Sequence, residues 1–159
     1  MTERGSAPTT TRVLMILDSY NFGGAENLIA ELGRFDPDSL DVSVASLAPA
    51  EQGRNALLDR LSELGLRPSY LSVDKLLDPG GFSLLVRTLR RAPFDFLHAH
   101  LGDAATLVPL AARLAGKPVV ATLHLSPQRH TSRGEWLKER LSVRIPARLG
   151  RLVLVSQHA

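Results

Sequence analysis

Arg12–Phe35 reads RVLMILDSYNFGGAENLIAELGRF, and this stretch decides the fold. The apolar run Val13–Leu17 ends at Asp18 and passes into the turn-prone Ser19-Tyr20-Asn21-Phe22-Gly23-Gly24, which predicts a strand buried on both faces opening into a loop. Leu28, Ile29, Leu32 and Phe35 follow at the spacing of one helical face. The unit is strand, glycine loop, helix. Two adjacent glycines at a helix start let a ligand approach free backbone N–H groups beside the positive end of the helix dipole, a place suited to an anion such as a phosphate. The plainer role for Gly23 and Gly24 is a tight turn packed against the sheet. Neither G-x-G-x-x-G nor G-x-x-x-x-G-K-[ST] occurs, which argues against a standard dinucleotide site and excludes a P-loop.

Strand and helix signals alternate through the rest of the chain. Leu40–Leu47 predicts an alternating strand stopped by Pro49, and Leu57, Leu58, Leu61 and Leu64 mark a helix that Gly65 can close in the left-handed conformation. Pro68–Val73 is a short third strand. Asp78 and Pro79 suit an N-cap and first helical position ahead of the stripe Leu84, Leu85, Leu89. Phe94–His100 predicts a fourth strand, Ala104–Ala115 a helix closed by Gly116, and Pro118–His124 a fifth strand. Ser132 and Glu135 form a capping box for a helix whose apolar stripe is Trp136, Leu137, Leu141, Ile145 and Leu149, with Pro146 expected to kink or interrupt it. Leu152–Val155 is the sixth strand. This order predicts an α/β, Rossmann-like three-layer domain: a parallel sheet of about six strands, helices on both faces, right-handed crossovers and a ligand crevice at the carboxyl ends of the strands.

Composition agrees with one domain. The chain has 159 residues, 44% of them apolar, enough for a substantial core, and no run approaches the length of a membrane span. Residues 1–11 are polar without an apolar core of their own, so they read as a disordered leader ahead of a domain at 12–159. A cytoplasmic location is the default expectation. The absence of cysteine excludes disulfides and thiolate zinc sites. Net charge is only +3, yet Arg129 to Arg151 holds seven basic residues against Glu135 and Glu139.

A parallel sheet would bring Asp18–Gly24, His98–Asp103 and His124–Ser126 to one edge. His98 and His100 share a strand face, with His100 nearer the edge and His98 within the sheet. Histidines at strand ends are commonly structural; convergence with a glycine loop strengthens the functional reading of His124 and His100. His98, His100, His124, His130 and Asp103 offer metal donors, but no H-E-x-x-H or similar spacing occurs, so a metal is not expected. No serine occupies a G-x-S-x-G elbow. Arg133, Arg140, Arg144, Arg148 and Arg151 fall along one side of the late helix: either a solvated arginine face or a surface for anionic lipid headgroups or a phosphorylated acceptor. Few aromatics and no recognised motif argue against nucleic acid.

The segments NFGGAE (21–26), DFLHAHLGDAATLVPLAARLAGKPVVATLH (95–124) and LVLVSQHA (152–159), in this order, resemble the amino-terminal domain of the family 4 glycosyltransferases, which have the two-domain GT-B fold. The resemblance implies transfer of a sugar from a nucleotide diphosphate sugar with retention of configuration, needing no metal or other cofactor. It implies that Gly23 and Gly24 approach the donor diphosphate, that His124 lies at the reacting centre, and that Asn21, His100 and Asp103 line the acceptor side. Glu26 belongs to the motif without an assigned role. The resemblance also implies a carboxyl-terminal domain that would carry most of the nucleotide site and an E-x7-E pair. These 159 residues do not contain it, so the chain is expected to be a truncated part, inactive alone, possessing peripheral membrane contact through Arg140, Arg144 and Arg148 if its acceptor is lipid-linked. Two rivals are a stand-alone binding domain that completes its cleft with a separate subunit, and an unrelated α/β enzyme using the histidines with a metal.

Overall fold

The computed structural model describes residues 10–20, 27–31, 39–50, 55–73, 78–100, 102–125 and 133–156. In chain order the elements are β1 (Thr11–Leu17), a helical segment α1 (27–31), β2 (Leu40–Ser46), α2 (Ala56–Glu63), β3 (Arg67–Tyr70), α3 (Pro79–Arg91), β4 (Phe96–His100), α4 (Gly102–Ala115), β5 (Val119–Leu125), α5 (Arg133–Leu149) and β6 (Arg151–Ser156). The six strands form one parallel sheet in the order β3-β2-β1-β4-β5-β6. The chain steps outward from β1 to β3, then crosses back over β1 to β4 and proceeds the other way. With right-handed crossovers that reversal places the earlier helices on one face and the later ones on the other.

Side-chain packing follows this division. Val13, Met15 and Leu17 of β1 join Tyr20, Ile29, Leu57 and Leu61 in one core. Leu14 and Ile16, pointing the opposite way, join Leu85, Leu89, Leu97 and Val108 in the other. Both faces of β1 are therefore dry, which explains its unbroken apolar run. Complete burial of each such aliphatic side chain stabilises the fold by about 1.5–3 kcal/mol. Helix α4 lies against the centre of the sheet, and its Ala104, Ala105, Ala111 and Ala112 are fully buried. Small side chains there let helix and sheet approach closely.

The helix ends follow local chemistry. Asn55 Oδ1 accepts from the N–H groups of Leu57 (3.0 Å) and Leu58 (3.4 Å) at the start of α2. Asp78 Oδ1 accepts from the Gly81 N–H at 3.0 Å, with Pro79 as the first residue of α3. Gly65 and Gly116 end α2 and α4 with φ of 74° and 72°, where a side chain would be strained. Far from the carboxyl edge, Asp95 receives the Arg12 backbone N–H at 2.7 Å and the Arg12 guanidinium at 3.2 Å, tying the starts of β1 and β4 together.

Several expectations are corrected. β1 begins at Thr11, one residue inside the supposed leader, where its N–H donates to Ser39 O at 2.8 Å. β2 does not alternate: Ser43, Val44, Ala45 and Ser46 are all buried, because the strand is interior to the sheet and covered on both faces. Leu28 and Leu84 were assigned to apolar stripes but are 54% and 44% exposed; the inward faces are carried by Ile29 and Ala30, and by Leu85 and Leu89. Helix α5 is not interrupted at Pro146. This proline lies near the helix end, forfeits one backbone bond, and its carbonyl accepts from Gly150 N–H at 2.9 Å. Trp136 and Leu137 do not enter the core either, being 46% and 51% exposed, because α5 turns Ser142, Pro146 and Val143 inward instead. Ser132, and with it the capping box, lies outside the described residues.

Candidate functional site

The reversal of strand order opens a crevice at the carboxyl ends of β1 and β4. The first residue beyond β1, Asp18, fills part of it. Its carboxylate accepts from the backbone N–H of Ala104 at 2.6 Å and of Asp103 at 3.3 Å, so it caps the start of α4 from another strand. Glycine at 102 makes room for this, since a Cβ there would stand 3.1 Å from Asp18 Oδ2. Sequence reading placed Asp18 at the end of a strand and at the carboxyl edge, without a role. Its partners lie 85 and 86 positions away, beyond the reach of any local motif.

Tyr20 anchors the entrance to the glycine loop. It is 2% exposed; its hydroxyl proton is shared between Ser69 O (2.8 Å) and Val44 O (3.1 Å), and its oxygen accepts from Ser69 N–H at 3.0 Å. Its own carbonyl accepts from Asn55 Nδ2 at 3.0 Å, and its ring meets Tyr70 edge-on with centroids 5.3 Å apart. Burial pushes the phenol above its usual range, so it stays protonated and able to donate. One residue thus joins the end of β1 to β2 and β3 through its hydroxyl and to the cap of α2 through its carbonyl. Asn21, Gly23, Gly24 and Glu26 follow directly and lie outside the described residues.

On β4 the expected pairing of His98 with His100 is present: the rings share a face, with centroids 4.1 Å apart and planes tilted by 39°. His100 is 3% exposed, whereas His98 is half-buried and its Nε2 lies 2.8 Å from Thr122 Oγ1 on β5. Burial lowers the pKa of His98 from 6.5, favouring neutral imidazole. The unfolded chain therefore takes up a proton at His98 before the folded one does. Stability from this group is fully present above pH 6.5 and declines as pH falls from there through the depressed folded value. Thermal melts at stepwise lower pH should show that decline, and His98→Gln should flatten it; an unchanged slope would contradict the assignment. Asp95 contributes in a separate window. Hydrogen bonding from Arg12 lowers its pKa from 3.8, so its contribution is lost only under more acidic conditions.

Asp103 is half-buried in the first turn of α4, beside the Asp18 cap. His124 is the penultimate residue of β5, paired in register with Val155 of β6, so its backbone stands at the same sheet edge. The structure thus brings Asp18, Tyr20, His100, Asp103 and the backbone of His124 to one edge. Among the described residues no group of three or more His, Asp or Glu side chains is arranged to hold a metal ion. Among the same residues no helix is long and apolar enough to cross a membrane.

Comparison with known proteins extends these observations. The family model of Glycosyltransferase Family 4 matches residues 22–159. The structure of Anabaena Alr3699/HepE in complex with UDP superposes with a TM-score of 0.66 at 20% identity, covering 88% of this chain and 36% of that one. Its complex with UDP-glucose gives 0.66 at 21% identity, with coverages of 87% and 35%. Acinetobacter baumannii MurG gives 0.52 at 15% identity, with coverages of 82% and 39%. At these identities the likeness is one of fold, the Rossmann-like half of a GT-B enzyme. The chain spans little more than a third of the length of these structures. No curated protein sequence matches it.

Proposed function

The chain belongs to glycosyltransferase family 4, and from that membership we infer that it is the acceptor-side part of an enzyme transferring a sugar from a nucleotide diphosphate sugar with retention of anomeric configuration. The family match over residues 22–159 is the observation that carries this reading. The HepE structures hold UDP and UDP-glucose, and the same class of donor is proposed here. In the transfer, the bond between the anomeric carbon and the diphosphate oxygen breaks. An acceptor hydroxyl oxygen bonds to that carbon on the same face, and its proton leaves with the diphosphate. No metal or other cofactor is called for in this reading.

Helix-end chemistry supports a particular place for the diphosphate. The starts of α2, α3 and α4 are occupied by Asn55, Asp78 and Asp18, and the last two would repel a further anion. The residues ahead of α1 and of α5 lie outside the described ones, and of these two helix starts we take the one after Gly23 and Gly24 as the anion-binding end, as the family resemblance implies. His124 would then sit at the reacting centre, with Asn21, His100 and Asp103 on the acceptor side. Asp18 and Asp103 give the described edge acidic groups where a departing diphosphate needs positive charge. We place the neutralising groups in the rest of the enzyme and propose that the 159 residues alone do not catalyse transfer. Incubating the purified chain with UDP-glucose and a carbohydrate acceptor should release UDP no faster than buffer does. Sustained UDP release with formation of a glycoside would contradict the division of labour.

A further inference from the structure

Helix α5 presents an outward face that the transferase reading does not use. Its sequence holds five basic residues, Arg133, Lys138, Arg140, Arg144 and Arg148, against Glu135 and Glu139, a net of +3 that equals the charge of the whole chain. The remaining residues are collectively neutral. Arg140, Arg144 and Arg148 are exposed, and at 3.6 residues per turn they fall within about 80° of one another. On the same wheel Leu137 lies among them and Trp136 at their rim; Glu135 falls on the opposite side with the buried Ser142 and Pro146, and Glu139 lies between that side and Trp136.

Two features distinguish this face from a merely solvated one. Trp136 and Leu137 remain 46% and 51% exposed although a folded core lies on the other side of the helix. The Arg140 guanidinium stacks over the Trp136 ring at 4.4 Å, and the pair borders an open cleft of about 300 Å³ shared with Glu139, Val143 and Arg144. We propose that this face docks the protein on an anionic phospholipid surface, with Trp136 and Leu137 entering the boundary between headgroups and acyl chains and the three arginines pairing with headgroup phosphates.

The spacing selects a membrane over a soluble phosphorylated ligand. Arg140 to Arg148 spans eight residues, roughly 12 Å along the helix, too far for one phosphate to engage all three. A sheet of headgroups meets them together. Exposed Trp and Leu beside long arginine stems suit that boundary, where the apolar parts sink and the charged ends remain hydrated. The arrangement lies flat on the surface and does not require the helix to span it.

Trp136 is the chain's only tryptophan, so its fluorescence reports the contact directly. With vesicles of phosphatidylcholine mixed with phosphatidylglycerol, emission should shift to the blue and the protein should float with the lipid, less so as salt is raised. Vesicles of phosphatidylcholine alone should produce little of either. The triple variant R140Q/R144Q/R148Q should lose about a hundredfold in partitioning to the anionic vesicles. Trp136→Ala should weaken partitioning while leaving the circular dichroism unchanged, since its ring is outside the core. Equal partitioning to both vesicle types, or full partitioning by the folded triple variant, would overturn the proposal. So would the same blue shift with soluble glycerol phosphate, which would identify a small phosphate site instead.

Discussion

Replacing Tyr20 by alanine is expected to destabilise the protein by about 3–5 kcal/mol, the loss typical of truncating a fully buried aromatic ring. Against a total of roughly 5–15 kcal/mol for an ordinary domain, that leaves a barely folded chain. The ring packs with Met15, Ile29, Leu57 and Leu61, and its removal opens a cavity among them. Tyr20→Phe separates packing from hydrogen bonding. It retains the ring but strands the Ser69 N–H and two carbonyls that meet the hydroxyl, and should cost about 1–3 kcal/mol. Urea unfolding of the two variants measures both quantities. A Tyr20→Phe protein as stable as the parent would mean that the hydroxyl does not anchor the glycine loop to β2 and β3.

Asp18→Ala carries the second large effect, about 2 kcal/mol, because it removes a charged cap that two amides of α4 share. Asp18→Asn keeps an acceptor and loses the charge, so it should recover roughly half of that loss. Amide exchange should locate the change, with Asp103 and Ala104 losing protection more than residues in the middle of α4. A destabilisation of Asp18→Ala no greater than about 0.5 kcal/mol, the range of ordinary surface changes, would show that α4 does not depend on this carboxylate. The cap also bears on the proposed site. It fixes the first turn of α4, which carries Asp103, relative to β1, from which the glycine loop departs.

The physics explains which of these features could be read from the residues. β1 was legible because an interior parallel strand must be apolar on both faces, and Val13–Leu17 shows that without interruption. The helix ends at Asp78, Gly65 and Gly116 were legible because capping depends on residues within a few positions of the end. Leu28, Leu84, Trp136 and Leu137 were misassigned because a periodicity of 3.6 defines a stripe without saying which edge of it meets the core. On α5 the inward position went to Ser142 and Pro146, residues that hydrophobic patterning does not select. The bonds made by Asp18 and Tyr20 were not legible for another reason. Their bonds run to α4 and to β2 and β3, contacts that exist only once the strand order is known. The proximity of His98 and His100 followed from strand alternation alone, but the approach of His98 to Thr122 required the register of β4 on β5.

The carboxyl edge at β1 and β4 is the face proposed to turn toward a nucleotide diphosphate sugar. An NMR titration of the isotope-labelled chain with UDP-glucose tests that most directly. Weak binding is expected, since most of the nucleotide site is assigned elsewhere. The shifted amides should be those of Gly23, Gly24, Asp18 to Tyr20, His100 to Ala104, and His124 with Leu125. Shifts confined to the opposite edge, near Arg12, Asp95 and Lys117, or none at saturating ligand, would contradict the account.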